Sequence, residues 1–204
     1  MPVAAQGVAH LSDAELMRRT AAGDREAFAA LYRRHNATVY RFARLNTGSD
    51  TLAEDVVQEV FLALMRNAAR YNAERSALST YLYGVARRHT RRRLAHEHRF
   101  VAIDDERRAV EGRTTDDDAE RHVERQDDVL RLRRAIVSLP SRYREVLVLC
   151  DLHEVTYGDA ALALGCAIGT VRSRLHRARQ LLTRKMQPEA DDATVRRTAM
   201  RCTV

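Results

Sequence analysis

Tryptophan is absent from the 204 residues, and aromatic residues together make up only 5% of the chain. Glycine (8) and proline (3) are scarce, leaving few turn-formers for a fold of many short strands. The three cysteines, Cys150, Cys166 and Cys202, stand far apart with no CxxC pair, so neither a disulfide framework nor a cysteine zinc site is expected. Cys150 and Cys166 lie in apolar stretches and read as core thiols, whereas Cys202 lies in a polar tail. No apolar run approaches the ~18 residues of a membrane span, so no membrane insertion is expected. The opening MPVAAQGVAH lacks the basic and then apolar segments of a secretory signal, and the expected location is the cytoplasm. A glycine-rich phosphate loop, an HExxH helix and a nucleophile elbow are also missing, so the chain is not expected to be an enzyme. His96-Glu97-His98 does not rescue a metal site, because positions i and i+2 of a helix do not face each other. No cofactor is expected.

What the chain does contain is a hydrophobic fraction of 45%, ordinary for a globular protein, and a large basic excess. The formal net charge is +7, and Lys185 is the single lysine among 35 basic residues. Arginine supplies a planar fork suited to phosphates and to guanine edges. The charge is segregated along the chain. Residues 84–100 carry net +5, residues 104–128 net −6, and residues 168–187 net +6 with no acid. Two basic helices flanking an acidic connector fit two nucleic-acid-binding modules joined by a linker that avoids the nucleic acid. The connector has few large apolar residues after Ile103, so it cannot build a core of its own. Its paired acids, Asp104-Asp105 and Asp116-Asp117-Asp118, therefore have no frame to hold catalytic geometry.

Hydrophobic spacing gives an all-α reading with two small helical domains. Ser12-Asp13-Ala14-Glu15 is a capping box opening a short helix that Gly23-Asp24 breaks. A second helix runs from Arg25 to about Asn46, with Phe28, Leu31, Tyr32, Val39 and Phe42 on its apolar face. Thr51-Leu52-Ala53-Glu54 reads as the capping box of a third helix, whose Asp55, Gln58, Glu59 and Leu62 share a mostly polar stripe. A loop follows, and a fourth helix from about Thr80 to Arg99 turns Leu82, Val85 and Ala86 inward and its arginines outward. In the second half, Val129 to Leu139 form a helix stopped by Pro140, and Ser141 to about Leu152 form the next. A short helix then opens at Thr156-Tyr157-Gly158-Asp159 and ends at Leu164. Gly165 makes the turn, and a basic helix runs from about Ile168 to Met186. There Val171, Leu175, Ala178 and Leu182 form a core stripe, while Thr170, Ser173, Arg174 and Arg177 share the opposite face. A short helix, a tight glycine turn and a basic amphipathic helix make a helix-turn-helix, whose second helix enters the DNA major groove.

Specific motifs narrow this further. AEDVVQEVFLAL (53–64) followed by STYLYGVARR (79–88) resembles region two of the extracytoplasmic-function (ECF) sigma factors of the sigma-70 superfamily. LPSRYREVLVLCDLHEVTYGDAALALGCAIGTVRSRLHRARQLL (139–182) resembles their region four. The resemblance covers roughly residues 12–187. It implies a region-two bundle over 12–100 and a region-four helix-turn-helix bundle over 126–187, while composition makes 101–125 a flexible linker and the polar stretch 188–204 a mobile tail. It implies a transcription initiation subunit that binds bacterial core RNA polymerase through its beta-prime and beta subunits, recognises promoter DNA at two elements and helps to open it. An anti-sigma factor is expected as a further partner. A stand-alone regulator would have no use for AEDVVQEVF, and residues 12–100 show no βα alternation for an effector domain.

The resemblance also implies roles for residues. Asp55, Gln58, Glu59 and Leu62 would dock on core polymerase. The minus-ten element would be read by Asn72, Ser76 and Ser79 as donors, Tyr81 and Tyr83 as rings, and Arg87, Arg88, Arg91 and Arg92 along the phosphates. For the minus-35 element the matching residues are Thr170, Ser173, Arg174 and Arg177, with Arg172 and Arg179 better placed for phosphates. The chain departs from the family in the minus-ten helix. Tyr81 stands where Trp is usual, Arg88 where Asn is frequent and Arg92 where Asp is frequent, which raises non-specific affinity and its salt dependence.

Overall fold

The computed structural model describes residue 8 and residues 10–101 and 120–187. All regular structure among the described residues is helical. Helix α1 (Asp13–Ala21) starts at the expected cap, where Ser12 Oγ accepts the Glu15 N–H at 3.2 Å. Helix α2 (Arg25–Thr47) is capped by Asp24, which accepts the N–H groups of Glu26 and Ala27 at 2.9 and 3.1 Å. Gly48, at φ +77°, ends it in the left-handed conformation.

Helix α3 (Asp50–Asn67) begins earlier than the Thr51 capping box implied. Gly48 turns the chain out of α2, so Ser49 is the first extended residue, and its hydroxyl accepts the Leu52 N–H at 3.3 Å. A 3-10 turn (Ala68–Arg70) and a loop lead to α4 (Leu78–Val101).

Helix α5 (Glu120–Val137) begins inside the segment expected to be linker. Arg134 in its last turn complements the helix dipole, and Ala135 and Ile136 at that end are buried. Residues 102–119, with Asp104, Asp105 and Asp116 to Asp118, lie outside the described residues, as does the expected mobile tail 188–204 with Cys202. Helix α6 (Ser141–Leu147) follows Pro140 and passes into a π-helical turn (Val148–Leu152) rather than continuing as one α-helix. Helix α7 (Tyr157–Leu164) is capped by Thr156, Gly165 makes the turn at φ +60°, and α8 (Ile168–Met186) follows.

Helices α1 to α4 bury Leu16, Leu31, Phe42, Val56, Val60, Leu64 and Leu82, and α5 to α8 bury Ile136, Leu147, Leu149, Leu164, Val171 and Leu175. Each such side chain contributes about 1.5–3 kcal/mol of burial.

The two halves are not separate in this structure. Thr80 Oγ1 donates to Asp159 at 3.1 Å, and Arg87 and Arg91 both reach Glu145. Thr80, Tyr83, Arg87 and Arg91 are spaced as one stripe of α4, so a single helix face makes the contact. The halves meet directly and need no core in the linker.

Candidate nucleic-acid and polymerase interfaces

Helix α8 buries Val171, Leu175 and Ala178 against the second half, which leaves Ser173, Arg174 and Arg177 facing away from the core stripe. Ser173 and Arg177 are exposed, while Thr170 and Arg174 are half-buried. Ser173 Oγ donates to the Thr170 carbonyl at 3.1 Å, and Arg177 donates to Gln180 at 3.2 Å. With no acid on the helix, this face carries positive charge and hydrogen-bond donors, the chemistry that base edges and phosphates accept. Arg172 is exposed as well. Arg179 departs from its expected place on phosphates. It donates from Nε and Nη2 to the two oxygens of Asp151 at 2.9 and 2.6 Å, and so ties α8 to the π-helical turn. The Asp151 hydrogen bonds hold Arg179 firmly in its charged form.

The minus-ten residues divide. Asn72 is exposed, and its Oδ1 accepts the Glu74 N–H at 2.8 Å, leaving its side-chain N–H groups as the free donors. Ser76, Ser79 and Tyr81 are half-buried around the loop, and Arg88 and Arg92 are exposed. Tyr71, unmarked in sequence, organises this loop. Its hydroxyl donates to the Ser76 carbonyl at 3.0 Å, and its ring meets Tyr81 edge-on at 5.7 Å.

Tyr83, Arg87 and Arg91 lie elsewhere than expected. Tyr83 is only 4% exposed, packs on Phe42 and shares a 3.0 Å hydrogen bond with His153 Nδ1. Burial pushes its phenol up to about 12 and pulls His153 down to about 4. Arg87, half-buried, and Arg91, still exposed, both bond Glu145, because that buried carboxylate requires cationic partners. No sequence signal marked them, since the acid lies 58 and 54 positions away.

On α3, Gln58 is exposed and Leu62 half-buried, as a docking stripe requires. Its two acids are already engaged. Arg93 approaches Asp55 at 3.3 Å and Glu59 at 3.8 Å, and His89 lies 3.9 Å from Glu59. Burial, joined by Arg88, Arg92 and Arg93 and opposed by Glu59, lowers the His89 pKa. Beside the stripe runs an apolar groove between α2 and α3, lined by Phe28, Tyr32, Phe61, Leu62 and Met65. Tyr32 and Met65 are 41% and 50% exposed, large fractions for such side chains. Helical spacing puts Phe28 and Tyr32 on the apolar face of the second helix, and periodicity cannot separate a core face from a groove wall.

Among the described residues no group of three or more His, Cys, Asp and Glu is placed to hold a metal ion. No described helix is long and apolar enough to cross a membrane.

Comparison with known proteins agrees with this layout. Residues 31–100 match the family model "Sigma-70 region 2", and residues 130–182 match "Sigma-70, region 4". The ECF RNA polymerase sigma factor SigM of Mycobacterium tuberculosis is 33% identical over 175 residues, covering 85% of this chain and 84% of SigM. The ECF RNA polymerase sigma-E factor of Haemophilus influenzae is 31% identical over 186 residues, covering 87% and 97%. Among solved structures, RpoE of Bartonella quintana, in complex with the anti-sigma factor NepR, superimposes with a TM-score of 0.65 at 23% identity, covering 79% of this chain and 98% of that one. CnrH, in complex with the cytosolic domain of CnrY, gives 0.62 at 23% identity, covering 84% and 94%.

Proposed function

Because this chain belongs to the ECF sigma factors of the sigma-70 family, we propose how its surfaces divide the work of transcription initiation. Its task is binding rather than catalysis: it joins core RNA polymerase and carries it to promoters, in the cytoplasm where both are found. Gln58 and Leu62 with the neighbouring Tyr32 and Met65 form the polymerase-docking surface, since exposed aromatic and methionine side chains next to polar groups suit a protein interface. Asp55 and Glu59 frame it through Arg93 and His89.

Thr170, Ser173, Arg174 and Arg177 face minus-35 base edges, and Arg172 lies beside them. An arginine fork on a guanine is worth about 1–3 kcal/mol of discrimination. The loop around Asn72, Ser76 and Ser79 with Tyr81 holds an unstacked minus-ten base, and Arg88 and Arg92 track the strand. Each stacked base is worth about 1–3 kcal/mol, which offsets part of strand separation. Arg87 and Arg91 join them only after release from Glu145, so the halves part before the minus-ten element is engaged. RpoE of Bartonella quintana is held by the anti-sigma factor NepR, and an antagonist of that class is proposed as a partner here.

The observation that carries this reading is the acid-free outer face of α8, set on a helix-turn-helix in the same chain as the α3 surface. The test mixes the protein with sigma-free bacterial core polymerase, fractionates by size and supplies genomic DNA fragments for run-off transcription. Co-elution with discrete transcripts is expected. DNA binding without core association would refute the α3 assignment and leave a stand-alone regulator.

A further inference from the structure

A second basic feature lies beside the recognition helix, contributed by a different helix. Arg142, on the first turn of α6, lays its guanidinium 4.7 Å above the ring of the adjacent Tyr143. The two line a cleft with Ser173, Arg174 and Arg177 of α8. Arg142 is exposed, and no carboxylate among the described residues pairs with it. Two other arginines of this half are spoken for. Arg144 is buried and donates to the Val137 carbonyl, and Arg179 is taken by Asp151. The cleft thus gathers three arginines, an aromatic ring and a hydroxyl, with no acid in its lining.

We propose that Arg142 is a DNA-backbone contact that extends the region-four interface beyond the recognition helix. The proposal rests on the reading of α8 as the helix that enters the major groove. A guanidinium laid on a ring keeps its N–H edge free while one face is held, so less side-chain freedom is lost when it bonds a phosphate. With Ser173, Arg174 and Arg177 in the groove, a residue from α6 on the rim of the same cleft meets the strand that borders the groove. It carries no sequence information, because phosphates are the same at every step.

The test measures binding of the full-length chain to a short fluorescent duplex of random sequence across a range of salt. Each phosphate contact contributes about 0.9 to the slope of log affinity against log salt. Arg142→Gln is expected to flatten the slope by about that amount, so that the affinity lost between about 50 and about 200 mM salt shrinks about threefold. Arg142→Lys, which keeps the charge, should restore the slope, whereas a merely structural role would not distinguish these variants. Holoenzyme carrying Arg142→Gln should transcribe the same set of promoters, each more weakly. A wild-type slope in Arg142→Gln, with Arg174→Gln and Arg177→Gln still flattening it, overturns the Arg142 assignment alone. A changed order of promoters also overturns it, by making Arg142 a base reader. If none of the three substitutions alters binding, the reading of α8 fails, and this proposal with it.

Discussion

Arg91 of α4 and Glu145 of α6 meet across the boundary between the halves through two hydrogen bonds, Nε to Oε1 at 2.7 Å and Nη2 to Oε2 at 3.1 Å. Arg87 Nε adds a third bond, to Oε2, at 2.9 Å. Glu145 is 4% exposed, so these two arginines replace the water its carboxylate gives up. Under the proposed minus-ten role these arginines bind phosphates instead, and they cannot serve the carboxylate and the strand at once. Glu145→Gln keeps the shape and removes the charge. It is expected to weaken the contact by roughly 1.5–3 kcal/mol, the range for hydrogen bonds to charged groups. The free protein should become more extended by small-angle scattering and bind single-stranded DNA more tightly. An unchanged radius and affinity would refute the competition.

His153 makes the same boundary sensitive to pH. It packs against Phe42 and Tyr83, bonds the Tyr83 hydroxyl and lies near Arg41. Burial, aided by Arg41, lowers its pKa from 6.5 to about 4, so the contact requires the neutral ring. When the halves separate, the ring recovers its ordinary value and binds a proton more readily. The contact is therefore at full strength above about pH 6.5 and is lost as pH falls from there toward 4. Distance between dyes on the two halves should grow over that interval in the wild type. In His153→Gln it should stay flat until carboxylates titrate. Equal curves would place the sensitivity elsewhere.

Gly48 carries two constraints. Its φ of +77° is a conformation that residues with a Cβ rarely adopt, and a Cβ there would stand 2.8 Å from Cγ1 of Val137 in α5. The left-handed backbone alone costs about 1–2 kcal/mol in a residue other than glycine. Gly48→Ala is expected to destabilise by more than that in urea unfolding. Adding Val137→Ala to Gly48→Ala should recover the steric part and leave the backbone part. Failure of the second change to recover anything would show that Val137 yields without cost.

Leu62 and Tyr32 offer a test of the docking surface, although the Tyr32 ring also rests on the buried Phe61 at 4.7 Å. Leu62 is half-buried at the groove and Tyr32 is 41% exposed. Leu62→Arg or Tyr32→Ala is expected to weaken association with core polymerase at least tenfold if either is an interface anchor, about 1.4 kcal/mol or more. Thermal melting should shift far less than it does for a core residue such as Leu64. Normal co-elution of both variants with core would exclude this groove.

The helices were legible because their signals are local. Ser12 and Thr156 cap within three residues, Gly165 turns where it stands, and the Val171, Leu175, Ala178 spacing declares its buried face without reference to anything distant. Boundaries slipped where two local signals competed, as at Ser49 against Thr51, and at α5, which begins inside the acidic connector. The α2 side of the groove was hidden for another reason. Phe28 and Tyr32 follow the same spacing as core residues, and only the position of α3 shows that they border open surface.

By itself the amino-acid sequence determined the all-helical fold, the helix-turn-helix, the two basic helices and membership of the ECF sigma factors, all of which rest on patterns spanning a few turns. The tertiary structure decided which arginines are free. Arg87 and Arg91 look like their neighbours Arg88 and Arg92 in sequence, and they differ only because Glu145 folds against one side of α4. Arg179 likewise differs from Arg177 only because Asp151 reaches it. A charge's availability depends on the sign of what packs beside it, and chain folding brings those neighbours from 58, 54 and 28 positions away.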